Sequence, residues 1–396
     1  MSASWSWRSA LLGVVLLSLT AQPLRAVEVT LSARYLGESS QQFEHTTPPA
    51  SMCAFFPSVC NRRPSVTVPL GYSKESKVSD VERENFYVAF PAAKNSWVYH
   101  EQTGEAHEVA LNFNVFSQRV ASPDPKRNPA ATRYRKSGNC QVQPGRWASS
   151  NEFVTQWSFF AWPALCTTRP DWSTTGLREV VTVSEMSMAY TLSLPPTFRL
   201  RPGRYRGSIT YSVGAGGEFD FGDNVDSVTD TSVTFNIELE VQHEFRVEFG
   251  PNSDTVTLEP PGGWTSWLEG GHVPPKLASD MPLRIWSSGP FRVYKRCEYD
   301  VGDRCAIRNG RGEDVPVQVA VTMPWGVRDQ NGWQTANRRP IGTGRAAALL
   351  LEGQLFTANG PGEVHFDVAQ ADLKPMLSRP GERYNGKVTV VFDAEL

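Results

Sequence analysis

Residues 379–396 read RPGERYNGKVTVVFDAEL, and the second half of this stretch alternates: Val388, Val390, Phe392, Ala394 and Leu396 fall on one face, with Lys387, Thr389, Asp393 and Glu395 on the other. That is the period of a half-buried strand. Such a strand needs a neighbour along each edge or a protected edge, because an open apolar edge templates pairing with another chain. The sequence stops with this strand, so its second neighbour is expected to come from another polypeptide.

The clue to that neighbour lies further up the chain. Residues 201–213 read RPGRYRGSITYSV: again RPG, a Tyr, a Gly two residues on, and then Ile209, Tyr211 and Val213 alternating with Ser208, Thr210 and Ser212. After this copy the chain turns through 214–230 and returns as 232–241, with Val233, Phe235, Ile237, Leu239 and Val241 on one face. Nothing returns after the second copy. Two domains on one strand plan are therefore expected, the first complete in itself and the second one strand short.

A chain of 396 residues gives two to three domains of about 100–200 residues each. Its 31 Gly, 29 Pro and 11% aromatic residues favour strands and turns over helices. The net charge of −2 argues against a general polyanion binder, and no nucleic-acid partner is expected. Residues 1–26 read as a secretory signal: Arg8, an apolar run over 10–19, then small residues, with cleavage after Ala21 or, preferred because a strand begins at once, after Ala26. A membrane anchor is the rival reading, and the run falls short of the ~20 residues that span a bilayer. All six cysteines follow the signal, and export favours disulfides. Sequence alone allows many connectivities; pairing of neighbours is expected, Cys53 with Cys60, Cys140 with Cys166 and Cys297 with Cys305. The competing zinc site lacks CxxC spacing and adjacent histidines.

Val27–Tyr35 reads as the first strand, followed by short candidates at 65–70, 84–90, 108–116, 152–160, 177–184 and 189–194, separated by turn-rich breaks. The alternation that begins at Val233 continues through Phe245, Val247 and Phe249 with only His243 out of pattern. The connector is therefore short, and the two domains are expected to be held nearly rigidly. Further candidates lie at 245–249, 255–258, 283–286, 291–298, 315–321, 346–351, 363–369 and 387–396. The expected fold is all-β, with two immunoglobulin-like β-sandwiches in tandem over residues 27–241 and 242–396, the second lacking its final strand.

The richest candidate binding surface is the Arg/Trp-rich segment around the second cysteine pair, with Arg133, Arg135, Arg146, Trp147 and Trp172 the residues expected to meet a receptor. Exposed aromatics and guanidinium groups suit sugar rings and hydroxyls. The plainer reading is that the alternating aromatics of 152–160 are core. The acidic run 218–230 could supply oxygen ligands to calcium, but it lacks the D-x-[DN]-x-[DN]-G spacing and reads better as a solvated loop. His100 and His107 lack HExxH spacing and read as surface residues. No nucleophile elbow, P-loop or dinucleotide fingerprint stands in a usable context, so no catalytic residue, metal or cofactor is expected. A secreted glycan-active enzyme is the remote alternative.

In their order, five features resemble the minor tip subunits of the alternate chaperone-usher pili, typified by the cable-pilus initiator and the colonisation-factor tip adhesins. They are the 53–60 loop followed by SVTVPL, the pair Cys140 and Cys166, the hairpin from Ile209 to Ile237, RVEFGPNSDTVTLEPPGG, and PGERYNGKVTVVF. The resemblance covers nearly all of the chain after residue 26. It implies an N-terminal adhesin domain joined to a C-terminal pilin domain whose missing strand is supplied first by a periplasmic chaperone and then, at an outer-membrane usher, by the N-terminal extension of the major pilin. Val388, Val390, Phe392 and Leu396 would line the acceptor groove. It also implies a receptor, either a host or a surface glycan; a structural tip subunit without a receptor is the alternative. Members that bind acidic glycans carry arginines after the strand matching 208–213. Here Gly214–Gly217 are followed by Glu218, Asp220, Asp223 and Asp226, so no acidic-sugar pocket is expected at this hairpin.

Overall fold

A computed structural model describes residues 27–37, 42–123, 137–169, 178–251, 253–330, 335–353 and 356–394. The expected signal segment, residues 1–26, lies outside them. The strands that build the argument are β1 (Val27–Tyr35), β2 (Lys94–His100), β3 (Ala106–Ala121), β4 (Arg178–Ser193), β5 (Gly203–Ser212) and β6 (Ser232–Val241), then β7 (Phe245–Phe249), β8 (Lys276–Ser287), β9 (Phe291–Cys297), β10 (Asp314–Thr322), β11 (Leu349–Gly353), β12 (Thr357–Ala369) and β13 (Val388–Asp393). Strands take up 56% of the described residues and helix 9%, which makes the fold all-β.

The first six strands form one curled sheet in the order β4-β3-β2-β5-β6-β1. At 16 residues each, β3 and β4 exceed the usual strand length. β3 pairs with β2 over its first half and with the strand Glu152–Phe159 over its second. β4 shifts register twice opposite β3, and such shifts bend a strand and raise its twist. The sheet thereby encloses a core that runs from Val29 to Val241. The reading of 177–184 and 189–194 as separate strands fails here: the polar break in the pattern, Ser184 and Glu185, lies at the first register shift and leaves the strand continuous.

The remaining strands form a sheet containing β7-β8-β12-β10 and a smaller one containing β11-β9-β13, packed around a second core. Residues 255–258 form no strand, and a short helix, α1 (Gln370–Leu377), lies between β12 and β13. All three neighbour disulfides are present, with Cα–Cα separations of 5.7, 5.5 and 5.2 Å.

The repeated motif has one physical meaning in both places. The glycine of each RPG has a positive φ, 138° at Gly203 and 90° at Gly381, where a Cβ is disfavoured. Two residues beyond each tyrosine, a glycine lets a neighbouring backbone come close: a Cβ on Gly207 would stand 2.2 Å from the Trp97 carbonyl oxygen, and one on Gly386 2.7 Å from that of Ala306. The tyrosines lock the turn. Tyr205 is buried and donates to the Arg201 carbonyl at 3.1 Å, the corner that immunoglobulin-like sandwiches place at this strand, whereas the Tyr384 hydroxyl accepts from the Asn309 amide at 3.2 Å.

Only residues 242–244 separate β6 from β7. His243, the one break in the alternation, bolts the two halves together. Its Nε2 donates to the Leu200 carbonyl at 2.7 Å, its Nδ1 accepts from the Ser288 hydroxyl at 3.2 Å, and its ring meets Tyr35 edge-on at 5.6 Å. Burial lowers its pKa below the usual 6.5, outweighing the bond donated to the Leu200 carbonyl, which raises it, so the imidazole is neutral at neutral pH. A group favouring the neutral form in the folded state contributes fully above about pH 6.5 and loses that contribution as pH falls. His243→Ala is expected to speed proteolysis within 242–244 several-fold at pH 7.5 and much less at pH 5. Equal effects at both pH values would rule out this role.

Candidate functional site

The two copies of the motif differ in what covers them. In the first half β5 is paired antiparallel with β6 along its whole length, and β6 is paired in parallel with β1. Ile209, Tyr211 and Val213 are consequently buried, as are Val233, Phe235, Ile237, Leu239 and Val241. Among the described residues of the second half, β13 pairs with β9 alone, and β7, the strand that like β1 opens its half, pairs with β8 alone. Aligning Tyr205 with Tyr384 sets Ile209, Tyr211 and Val213 against Val388, Val390 and Phe392. The latter three are only half-buried.

Among the described residues, a seam therefore runs between the unpaired edges of β7 and β13. Val388, Val390, Phe392 and Ala394 line one side; Phe245, Val247 and Phe249 line the other, and all but Phe249 pack onto the same core. Phe249 is 40% exposed, and its ring faces that of Phe392 at 6.2 Å. Phe245 rests on Phe291 at 5.0 Å. Three of the four expected groove residues thus stand on the seam, and Leu396 lies outside the described residues. The opposite wall was missed as a wall, although the alternation of FRVEF carried the signal.

The expected receptor cluster is described only in part, because Arg133, Arg135 and Trp172 lie outside the described residues. Arg146 and Trp147 are exposed at the end of the strand Cys140–Trp147: Arg146 lies over Phe56 at 5.7 Å, and Trp147, 45% exposed, meets Phe153 edge-on at 5.3 Å. Trp157 and Phe159 are core, as the plainer reading of that strand has it. Trp147 pairs with Phe153, which pairs with Val120 near the end of β3, far along the strand from the junction.

The acidic hairpin is not a solvated loop. Phe219 and Phe221 insert into the core between its carboxylates, and Asp220 is 5% exposed. Asp220 accepts both terminal nitrogens of Arg83, at 2.9 and 3.2 Å, and the N–H groups of Gly222 and Gly216, at 2.8 and 3.1 Å. Burial pushes its pKa up, but those hydrogen bonds hold it below the ordinary carboxylate value. Asp223 also pairs with Arg83, and Glu218 with Lys94. Lys74 is fully buried beneath the hairpin and donates to the carbonyls of Asp223, Phe221 and Arg83 at 2.7, 2.9 and 3.2 Å, which satisfies all three of its protons. Burial nonetheless pulls its pKa down to about 8 from 10.5, outweighing Asp223. The unfolded chain then binds more protons between these values, so stability rises with pH across about 8 to 10. Lys74→Met is expected to flatten that rise, by about 1–3 kcal/mol over the window; an unchanged slope in urea titrations would refute the assignment.

His100 is also not a surface residue: it is 3% exposed and bonded to Thr103 and the Pro202 carbonyl. His107 is partly buried beside Glu105. Asp280, Glu363 and His365 come within metal-binding distance of one another, but Asp280 is already held by Arg338 and by His365 Nδ1 at 2.7 Å. Burial raises the pKa of Asp280, and these partners more than reverse the shift.

No family model and no curated protein matches the sequence. Solved structures do match along its length. One is a chain of the chaperone–tip adhesin complex of CFA/I fimbriae biogenesis, at 9% identity and TM-score 0.25, covering 93% of this chain and 95% of the other. Another is CfaE, the adhesive subunit of the CFA/I fimbria of enterotoxigenic Escherichia coli, at 7% and 0.26, covering 93% and 92%. A third is a chain of the CsuC–CsuE chaperone–tip subunit pre-assembly complex from the archaic chaperone-usher Csu pili of Acinetobacter baumannii, at 12% and 0.21, covering 93% and 98%. These scores are too low to place any residue of the site.

Proposed function

We propose that this protein is an exported tip subunit of a chaperone-usher pilus, in which residues 27–241 bind a surface and residues 242–396 accept a strand from another polypeptide. One observation carries the reading: the same motif strand is sealed by β6 in the first half and left half-exposed in the second. The first half also supplies the geometry. By analogy with β1, β6 and β5, the incoming strand runs parallel to β7 and antiparallel to β13, joining the two sheets across the seam. Main-chain hydrogen bonds to both edges give affinity, and alternate apolar side chains facing Val390 and Phe392 give register. A periplasmic chaperone, the usher and a major pilin are the partners this mechanism calls for, with a glycan as receptor for the first half and Arg146 and Trp147 among the residues offered to it. The role is binding and assembly rather than catalysis.

The test is complementation. A chain carrying an added apolar strand after Leu396 is compared with the unfused chain by sedimentation and melting. Gain of a monomeric, more stable second half supports the proposal, and equal behaviour of the two refutes it.

A further inference from the structure

The outward face of the first sheet carries two features that the strand seam does not use. On β2 the buried residues are Val98 and His100, whereas Trp97 and Tyr99 are 50% and 51% exposed. Two residues apart on one strand, the rings stand on the same face about 6–7 Å apart. On one side, Asn95 donates to Glu108 of β3 at 2.8 Å. On the other, Tyr99 is in register with Arg206 of β5, and Arg206 with Glu238 of β6. Beyond Tyr99 lies a cleft of about 400 Å³ whose walls include Arg204, Arg206, Glu238 and Glu240. The aromatic platform and the cleft meet at Arg206.

We propose that this face binds a neutral glycan, with pyranose rings laid on Trp97 and Tyr99 and the hydroxyls of the adjoining sugar in the cleft at Arg206. A half-exposed aromatic face is electron-rich and meets the C–H face of a sugar ring well. The charges around it are balanced: Arg206 pairs with Glu101 and Glu238, Arg34 at the far wall pairs with Glu44, and Arg204 is in register with Glu240. A polyanion would meet the carboxylates and a polycation the guanidinium groups. A neutral polyol satisfies both, because each hydroxyl donates to a carboxylate and accepts from an arginine. A stable protein partner needs a broad apolar centre, which two rings on an otherwise polar strand do not supply. The proposal rests on the surface-binding half of the reading above but places the glycan on β2 rather than at Arg146 and Trp147, and it is independent of strand acceptance, so either can fail alone.

The test uses the full chain, with retention on cellulose, chitin and mannan and titration of the corresponding oligosaccharides followed by tryptophan fluorescence. Binding to at least one of them is expected, weakened about fivefold by Trp97→Ala and by Tyr99→Ala, preserved in Trp97→Phe and Tyr99→Phe, and insensitive to sodium chloride. Thermal melts confirm that the variants are folded. Four results would each overturn the proposal: no retention on any of the three, retention unaffected by both alanine variants, loss through Trp147→Ala instead, or a steep salt dependence.

Discussion

Fusing a copy of the protein's own 232–241 segment, SVTFNIELEV, after Leu396 through a short flexible linker is expected to raise the melting temperature of the second half by about 10 °C or more and to keep the chain monomeric. Val390→Asp or Phe392→Asp is expected to cancel the gain. Covering a half-exposed Val or Phe recovers part of the 1.5–3 kcal/mol that full burial of such a side chain is worth, and at least Val388, Val390, Phe392, Phe245, Val247 and Phe249 stand to be covered. Two unpaired backbone edges gain hydrogen bonds as well, each worth about 1 kcal/mol net. The sum is several kcal/mol, a large share of the ~5–15 kcal/mol that holds a domain together. In the unfused chain Val390 and Phe392 are only half-buried, so the Asp side chains keep contact with water and cost less. Beneath an added strand the carboxylate is buried without a partner, at a cost of several kcal/mol. That contrast between backgrounds is the discriminating measurement. If either Asp variant keeps the full gain in melting temperature, the added strand is not lying in the seam.

The second large effect is expected at the hairpin. Asp220→Ala removes the acceptor that Arg83 and two backbone N–H groups share, and leaving such donors without an acceptor costs about 1–3 kcal/mol, although Arg83 keeps Asp223. Asp226, exposed on the same hairpin, is the control, and its replacement by Ala is expected to stay within about 0.5 kcal/mol. The pH dependence follows from the depressed pKa of Asp220. Its contribution is complete above the unfolded carboxylate value of about 4 and is lost as pH falls through the lower folded value. The wild type should therefore lose its advantage over Asp220→Ala only on strong acidification. Urea unfolding at pH 7 and pH 3 measures both quantities, and equal midpoints for the Asp220 and Asp226 variants would show that the network contributes nothing.

Alternation and repetition determined much of this protein in advance. The RPG…Y…G motif marked the same strand twice, the returning run 232–241 marked the strand that covers the first copy, and His243 stood out as the lone break where the halves meet. The neighbour spacing of the cysteines matched the disulfides. These features are legible because a half-buried strand writes its two faces into its own residues, whatever it packs against.

Tertiary structure alone decided the rest, wherever a side chain's surroundings outweigh its own hydropathy. β2 was missed because its pattern is inverted: Trp97 and Tyr99 face out while His100 turns in, held by Thr103 and the Pro202 carbonyl. Tyr72–Lys77 was missed because Lys74 and Ser76 occupy buried positions, and Lys74 is tolerable there only because three carbonyls from distant parts of the chain converge on it. The acidic run read as solvated because Arg83, which neutralises Asp220 and Asp223, lies more than a hundred residues earlier in the sequence. The far wall of the seam came to light for the same reason: β7 and β13 are far apart in the chain, and only packing on one core brings Phe249 to face Phe392.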